Sequence, residues 1–256
     1  GNVVRQWSVW SLKGKGSTFW DGRRDDGNYV GEGTFKIILT PTDRAGNQGD
    51  PAEVRVKALN SIKNPTVNPP LFDATDADEL APSSALKARL TREATVSWLV
   101  KDRSGTVVRR GIDAQVYPPG DVRFVWDGTD DAGQLVPEGR YTGRIRVTRP
   151  GGTYAHDVTV RMMPFKLWSA KWTLKRGAST KLSFESAEPL KGKPVVTANQ
   201  PGIKKYGLKV TRHSPTKFTA TLRTRNKGKA GDLKVRIVGT DVNGGSQSKV
   251  FTLKLR

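Results

Sequence analysis

The chain has 256 residues, among them 27 glycines, 15 prolines and no cysteine, and it carries a formal net charge of +20. This length is sufficient for two or three domains with separate cores. Frequent glycine and proline favour short strands joined by tight turns, so we expect an all-β fold. The lack of cysteine excludes disulfides and thiolate chemistry. No apolar run reaches the roughly 18 residues that a transmembrane helix needs, so the sequence predicts no transmembrane segment.

The first feature along the chain is a short segment that occurs twice. Residues 20–35 read WDGRRDDGNYVGEGTF and residues 126–141 read WDGTDDAGQLVPEGRY, and the two align without a gap. An ungapped match of this length indicates a duplicated structural unit. The positions that we assign to the shared structural motif are Trp20, Asp21, Gly22, Gly27, Gly33 and Phe35 in the first copy, and Trp126, Asp127, Gly128, Gly133, Gly139 and Tyr141 in the second.

The residue types of the repeat predict a strand, two tight turns and a second strand. Tryptophan buries a large apolar surface, and the Asp-Gly pairs permit positive φ and hydrogen bonds from side chain to backbone. The alternation of Phe35, Ile37 and Leu39 then predicts one buried strand face. Calcium binding is the alternative role for the aspartates, but their spacing lacks the bidentate glutamate at the twelfth position of an EF-hand loop. We therefore interpret them as turn residues.

This pattern resembles the FlgD-type immunoglobulin-like repeat, a family of tandem modules in secreted and surface bacterial proteins. The resemblance covers about residues 1–60 and 66–163. It implies immunoglobulin-like β-sandwiches and an extracellular or cell-surface location, and it says little about function. In the second copy, residues 85–90, 95–100 and 107–109 are predicted strands, and Trp98 occupies the place of a core tryptophan.

The first copy of the repeat is incomplete. Residues 1–5 match residues 105–109, and counterparts of residues 66–104 are missing. Three explanations remain open: the chain is a fragment of a longer protein, which we favour; another molecule adds the missing strands, because an open sheet edge invites pairing; or the half-module packs on its neighbour. A strand-donating protein is therefore one predicted partner.

An extended, proline-rich linker is predicted at residues 61–70, where Pro65, Pro69 and Pro70 fall. A short acidic cluster follows at residues 73–79. We interpret this cluster as a solvated loop, with a metal site as the alternative.

The C-terminal third contains almost all of the net charge. Residues 166–256 have 21 lysines and arginines against 4 acidic residues, a net charge of +17, while residues 1–60 and 61–165 carry +2 and +1. Strands are predicted at residues 181–185, 195–198, 208–211, 217–225, 233–238 and 250–255. The repeat motif is absent here, so we expect a different immunoglobulin-like sandwich.

Alternation along these strands places the basic side chains outward. If the strands are neighbours, the outward residues form one basic face, which suggests a polyanionic partner such as a cell-wall polymer or an acidic glycan, although a solvated surface is the simpler alternative. Nucleic acid is a weaker candidate, because Phe184, Phe218 and Phe251 point inward. Trp168 and Trp172 are expected to pack in a core or between domains, with an exposed position as the alternative. The predicted polyanion-binding residues are Lys181, Lys209, Lys217, Arg223, Arg225, Lys234, Arg236, Lys254 and Arg256.

The sequence predicts neither an enzyme, nor a cofactor, nor a catalytic residue. His156 and His213 are the only histidines, and neither has metal-ligand spacing around it. Residues 14–18 contain a lysine and hydroxyls but lack the spacing of a phosphate loop, so we interpret them as a hairpin loop. The pair Asp130-Asp131 belongs to the turn motif rather than to a cleft.

Together these patterns predict three modules. They are a partial FlgD-like module at residues 1–60, a complete one at 71–163 after the linker at 61–70, and a basic sandwich at 164–256. The predicted function is that of a non-catalytic extracellular structural and binding protein. Two alternatives are the accessory region of an exported hydrolase and a filament subunit that is completed by strand addition.

Overall fold

The computed structural model describes residues 2–10, 17–27, 30, 33–58, 61–76, 78–149, 152–169 and 171–256. Over these ranges the chain forms nineteen strands and no helix, which confirms the predicted all-β class. None of the described segments is a helix able to cross a membrane. The predicted hairpin loop at 14–18 lies partly outside the described residues, as does the first residue of the predicted match at 1–5.

The N-terminal ribbon is an antiparallel pair of strands, β1 (Gly33–Leu39) and β2 (Ala52–Ala58). Phe35 and Ile37 are half-buried, as their alternation predicts, whereas Leu39 on the same strand is 53% exposed. The ribbon therefore covers its apolar face only in part.

The central sandwich consists of two sheets around one core. Its strands are β3 (Ile62–Asn68), β4 (Leu71–Phe72), β5 (Ser84–Leu90), β6 (Ala94–Lys101), β7 (Val107–Tyr117), β8 (Gly120–Trp126), β9 (Gly139–Arg149) and β10 (Gly152–Met162). One sheet has the order β3-β5-β8, and the other has the order β4-β10-β9-β6-β7. Side chains from the facing sheets fill the space between them, as in an immunoglobulin-like sandwich.

The core of the central sandwich contains the two tryptophans of the second repeat. Trp98 and Trp126 are both fully buried, and Val96 and Val100 lie on the same face of β6 as Trp98. The strands predicted at 85–90, 95–100 and 107–109 are thus confirmed. The linker prediction is wrong in part: residues 62–68 are extended, but they form β3 and pair with β5. Backbone pairing and the burial of Ile62 place this segment in the sandwich rather than between modules.

The C-terminal sandwich has a separate core between two further sheets. Its strands are β11 (Phe165–Ser169), β12 (Thr173–Leu174), β13 (Ser179–Ser186), β14 (Val195–Asn199), β15 (Tyr206–Leu208), β16 (Val210–Arg212), β17 (Lys217–Arg223), β18 (Gly231–Thr240) and β19 (Ser246–Leu255). The sheet orders are β11-β13-β17-β16 and β12-β19-β18-β14-β15. Phe184 and Phe218 stack in this core with ring centroids 5.5 Å apart.

One predicted strand of the C-terminal sandwich is in fact two. The segment predicted at 208–211 is divided at Lys209, because β15 pairs with β14 whereas β16 pairs with β17 in the opposite sheet. A chain that crosses from one sheet to the other at a sandwich corner keeps its local alternation, so periodicity alone does not reveal the crossing.

Candidate functional site

The two copies of the repeat adopt the same turn. In each copy the indole Nε1 of the tryptophan donates a hydrogen bond to the carbonyl oxygen three residues on. The distance is 2.8 Å from Trp20 to Arg23 and 2.8 Å from Trp126 to Thr129. The aspartate that follows each tryptophan, Asp21 or Asp127, accepts a bond from the amide of Arg23 or Thr129 at 3.1 Å. The sequence match therefore corresponds to matching geometry.

The glycines of the motif supply the backbone conformation that the turn needs. Gly22 and Gly128 have φ values of 77° and 79°, and each carbonyl accepts a bond from a valine amide eight residues on, Val30 or Val136. Gly27 and Gly133 also have positive φ. Gly33 and Gly139 begin the strands that follow, β1 and β9. The motif is thus a structural device that reverses the chain twice.

Aspartates inside the motif accept hydrogen bonds from backbone and side-chain donors. Asp131 accepts bonds from the amide and the guanidinium of Arg110, at 2.7 and 2.6 Å. In the first copy, Asp25 accepts the amide of Gln6 at 3.2 Å. These contacts favour the turn interpretation over a calcium loop.

The two copies differ in how well their aromatic pair is covered. Trp126 packs edge-on against Tyr141, with ring centroids 4.9 Å apart, and both are buried. Trp20 makes the same contact with Phe35 at 5.1 Å, but both remain half-exposed. The first copy therefore has the local geometry of the motif without the surrounding core.

The predicted polyanion residues do not form one face. Lys181, Lys217 and Arg223 lie on the exposed side of β13 and β17, whereas Lys234 and Arg236 lie on the exposed side of β18. Because these strands belong to opposite sheets of one sandwich, their outward side chains point in opposite directions. The condition for a single basic face, that these strands are neighbours, is therefore not met, and polyanion binding by these residues stays a prediction.

The remaining predicted residues lie at strand ends. Lys254 forms an ion pair with Asp232 at 2.5 Å, so its charge is partly neutralised. The guanidinium of Arg225 lies 5.1 Å from the ring centroid of Tyr206. Lys209 is exposed at the corner between β15 and β16.

An open cleft of about 500 Å³ lies at one end of the C-terminal sandwich. It is lined by Lys175, Arg176, Asn226 and Arg256. The backbone amide of Arg176 donates to the carbonyl oxygen of Arg256 at 3.3 Å, which holds the backbones of these two residues side by side. Sequence reasoning missed Lys175 and Arg176 because they lie in a turn, where strand alternation gives no signal.

Two tryptophans of the C-terminal sandwich are exposed, contrary to expectation. Trp168 is 42% and Trp172 is 47% exposed. The ammonium group of Lys166 lies 4.0 Å from the ring centroid of Trp168, a cation–π contact. Partial burial, together with the nearby Arg161, lowers the pKa of Lys166. The two histidines, His156 and His213, are also exposed.

Four carboxylates converge where the central and C-terminal sandwiches meet. One carboxylate oxygen from each of Asp76, Asp78, Glu188 and Asp241 lies within 4.8 Å of the others. We call this group the carboxylate centre. Asp76 and Asp78 come from the loop between β4 and β5, whereas Glu188 follows β13 and Asp241 begins the turn between β18 and β19. Each sandwich thus contributes two of the four groups.

The carboxylate centre is buried and short of hydrogen-bond donors. Glu188 and Asp241 have no exposed surface, and each of the four carboxylates has one buried oxygen without a hydrogen-bond partner. Gln247, which is 3% exposed, donates from Nε2 to Asp76 at 3.2 Å and also to Glu188, while its own Oε1 has no partner. Buried oxygens without partners are costly to a fold, so they call for an explanation.

Burial and nearby negative charges raise the pKa values of two acidic side chains in this region, Glu188 and Asp73. Burial raises the pKa of Glu188 to about 8, with further contributions from the negative charges of Asp76, Asp78, Asp73 and Asp241. Burial also raises the pKa of Asp73, against the opposing hydrogen bonds from Thr75. A second contact between the sandwiches, an ion pair of Lys249 with Glu138, lies outside the centre.

The interpretation of residues 73–79 as a solvated loop is therefore wrong for most of its acidic groups. Asp73 is 1% exposed, and Asp76 and Asp78 are half-buried. The acidic run itself was visible in the sequence. Its partners, Glu188 and Asp241, lie so far along the chain that no local pattern connects them to it.

Comparisons with protein families and with solved structures each found matches. Residues 75–151 match the family model of the FlgD Ig-like domain. A solved tetra-tandem repeat from the extending region of a large adhesion protein is similar with 15% identity and a TM-score of 0.30; the match covers 91% of this chain and 58% of that one. The YadV chaperone is similar with 12% identity and a TM-score of 0.29, over 76% of this chain and 100% of that one. A comparison with curated proteins found no match. The predicted FlgD-type immunoglobulin-like domain is thus confirmed over residues 75–151.

Proposed function

We propose that this chain is a non-catalytic extracellular protein whose immunoglobulin-like modules act as spacers and whose basic C-terminal sandwich binds a polyanion. The observation that carries the proposal is the uneven charge: residues 166–256 carry +17, while the rest of the chain carries +3. Repulsion among like charges in one domain raises the electrostatic free energy of the folded domain. An anionic partner that binds there reduces this repulsion. Cell-wall polymers and acidic glycans are partners of this kind.

The cleft at the end of the C-terminal sandwich is the best-supported place for contact. Lys175, Arg176 and Arg256 line it together, and Asn226 adds an amide that can donate to an anionic oxygen. Two arginine side chains near one another suit carboxylate, sulfate or phosphate groups, because guanidinium binds such groups through paired hydrogen bonds.

Retention on immobilised heparin and on purified cell wall, measured against salt concentration, tests the proposal. We expect retention of the full chain to fall steeply as salt rises, since screening weakens exposed charge contacts. Retention that salt does not change would contradict an electrostatic mode. Single-stranded DNA, tested in parallel, should bind more weakly than the acidic glycan; stronger binding to DNA would replace the proposed partner class.

Matched charge variants locate the contact. The triple variant Lys175→Gln, Arg176→Gln, Arg256→Gln should lose most of its retention. Its control, Arg44→Gln, Arg55→Gln, Lys57→Gln, removes the same charge from exposed positions of the N-terminal segment and should retain wild-type behaviour. Equal losses in both variants would show that net charge alone acts, and the cleft assignment would fall.

The exposed apolar surface of the N-terminal ribbon favours a second function, pairing with a further β-strand. Leu39 and Val54 lie on the same face of the ribbon and are each more than half exposed, on a sheet that has two strands among the described residues. We propose that a strand of another copy adds to the open edge of this sheet and that its side chains extend the cover of this face. Light scattering at rising protein concentration should show assembly, and the variant Leu39→Lys should abolish it because it places a charge on this face. A strict monomer at high concentration would contradict the proposal.

A further inference from the structure

We propose that the carboxylate centre binds a calcium-class divalent cation and that the bound ion ties the central sandwich to the C-terminal sandwich. The proposed ligands are Asp76, Asp78, Glu188 and Asp241, with one carboxylate oxygen from each. The site is independent of polyanion binding, because none of its ligands belongs to the basic surfaces.

The donor atoms of the centre select the kind of ion. Every available ligand is an oxygen, which is the donor that Ca²⁺ and Mg²⁺ prefer, while zinc favours nitrogen and sulfur. Ca²⁺ accepts about 6 to 8 oxygen ligands in flexible geometry, and Mg²⁺ demands a near-ideal octahedron and gives up its water reluctantly. Four carboxylates brought together from three separate loops suit the larger ion.

Burial makes the centre more than a cluster of acidic groups. Glu188 and Asp241 are fully buried, and Oε1 of Glu188 and Oδ2 of Asp241 are buried without a hydrogen-bond partner. One oxygen from each carboxylate lies within 4.8 Å of the other three residues' oxygens. Among the ion pairs of the described residues, none includes a member of the centre, so the charges are not neutralised by lysine or arginine there. Buried charges in proteins are paired or coordinate a metal.

The backbone orients two of the ligands toward the centre. Oδ1 of Asp241 accepts the amides of Asn243 and Gly245 at 2.7 and 3.0 Å, which leaves Oδ2 for the ion. Oδ1 of Asp78 accepts the amide of Leu80 at 2.6 Å, which likewise leaves Oδ2. Such supporting hydrogen bonds fix ligand orientation in metal sites.

The division of the ligands gives the ion a mechanical role. Asp76 and Asp78 belong to the central sandwich, and Glu188 and Asp241 belong to the C-terminal sandwich. Without a cation these two pairs repel one another across the joint, because like charges at this distance and burial interact strongly. With a cation they share one ion, so the two sandwiches are held in one orientation.

Calorimetric titration of the chelator-treated full chain with CaCl₂ tests the binding. We expect one Ca²⁺ per chain with a Kd of about 1 mM or tighter, the range of extracellular calcium modules, and about tenfold weaker binding of Mg²⁺. The variant Glu188→Gln should weaken Ca²⁺ binding about tenfold or more. Its matched control is Glu185→Gln, a partly exposed glutamate three residues earlier, which should bind as the wild type does.

Several results would overturn the assignment. Wild-type protein that binds no Ca²⁺ at millimolar concentration would contradict the site, and equal binding by Mg²⁺ would contradict its calcium class. Equal binding by Glu188→Gln and Glu185→Gln would place the ion elsewhere. Loss of folding does not confuse the test. Glutamine keeps the size of the Glu188 side chain and cannot ionise beside the other carboxylates, so Glu188→Gln should be at least as stable as wild type in chelator. Asp241→Asn, with Asp232→Asn as control, repeats the comparison on the other loop.

Small-angle X-ray scattering tests the joint. The radius of gyration of wild type should fall when Ca²⁺ replaces chelator, and that of Glu188→Gln should not change. Superimposable wild-type curves with and without Ca²⁺ would contradict the mechanical role.

Discussion

The side-chain amide of Gln247 donates a hydrogen bond to Asp76 across 3.2 Å, and the two residues are 171 positions apart in the sequence. Gln247 lies in β19 of the C-terminal sandwich, and Asp76 lies in the loop after β4 of the central sandwich. The same amide also donates to Glu188. One glutamine thus supplies the side-chain donor of the carboxylate centre and joins the two sandwiches.

Removal of this donor should destabilise the joint. We expect Gln247→Ala to lower the free energy of unfolding by about 1–3 kcal/mol in chelator, because Asp76 and Glu188 each lose a buried hydrogen bond. Thermal unfolding followed by circular dichroism measures the change. Gln48→Ala, on an exposed side chain near the N-terminal ribbon, is the control and should have little effect. Equal effects of the two substitutions would contradict the role of Gln247.

The stability of the metal-free protein should fall as pH rises from about 5 to 8. The pKa of Glu188 is raised from 4.5 to about 8 in the fold, so over this window the folded chain holds a proton that the unfolded chain has released. Stability falls with pH wherever the folded state binds more protons. After burial, the negative charges of the neighbouring Asp76, Asp78, Asp73 and Asp241 contribute to this rise in the pKa of Glu188.

Denaturant unfolding at a series of pH values in chelator measures this dependence. Glu188→Gln should flatten the profile between pH 5 and 8, because the amide does not ionise. Added Ca²⁺ should restore stability most at the upper end of the window, since a cation and a proton compete for the same carboxylates. Identical profiles for wild type and Glu188→Gln would refute the prediction.

Much of the fold could be predicted from local patterns, because alternation reports which side of a strand is buried. The face of β6 that contains Trp98 and the duplicated turns at Trp20 and Trp126 are examples. The exceptions have one cause. Residues 62–68 and the crossing at Lys209 depend on which strand becomes the neighbour, and that choice is made by tertiary packing.

The sites were less predictable for the same reason. The basic residues of β17 and β18 alternate alike in the sequence, yet their strands belong to opposite sheets. The acidic residues Asp76 and Asp78 gain their significance from Glu188 and Asp241, which approach them only in the folded chain. Composition showed where charge is concentrated, while the fold decides which charges meet.

The two motif tryptophans should differ in their contribution to stability. Trp126 is fully buried between Phe72 and Tyr141, with centroids 5.4 and 4.9 Å away, whereas Trp20 is half-exposed beside Phe35. We expect Trp126→Ala to cost about 3–5 kcal/mol, the usual range for a large core side chain, and Trp20→Ala to cost clearly less. Hydrogen exchange followed by mass spectrometry locates each effect. Comparable losses of protection around the two sites would contradict the difference in burial.

Alanine substitutions at the two turn glycines of the second copy distinguish the cost of backbone strain from the cost of packing. Gly128 and Gly133 have nearly the same positive φ, 79° and 76°, so alanine at either position meets a similar backbone cost of about 1–2 kcal/mol. Their surroundings differ. A Cβ at Gly128 would lie 3.0 Å from the Cβ of Ala74 and 3.3 Å from Cγ of Met162, while one at Gly133 would meet nothing within 4 Å.

Gly128→Ala should therefore destabilise the central sandwich more than Gly133→Ala does. The excess measures how far Ala74 and Met162 must move, and overpacking of a well-filled core adds about 1–3 kcal/mol. Denaturant midpoints at constant m-value give both free energies. Because Ala74 lies two residues before Asp76, displacement at Gly128 should also weaken Ca²⁺ binding, whereas Gly133→Ala should not. If the two substitutions lower the free energy of unfolding equally, Ala74 and Met162 move aside at no cost. The motif would then not support the carboxylate centre.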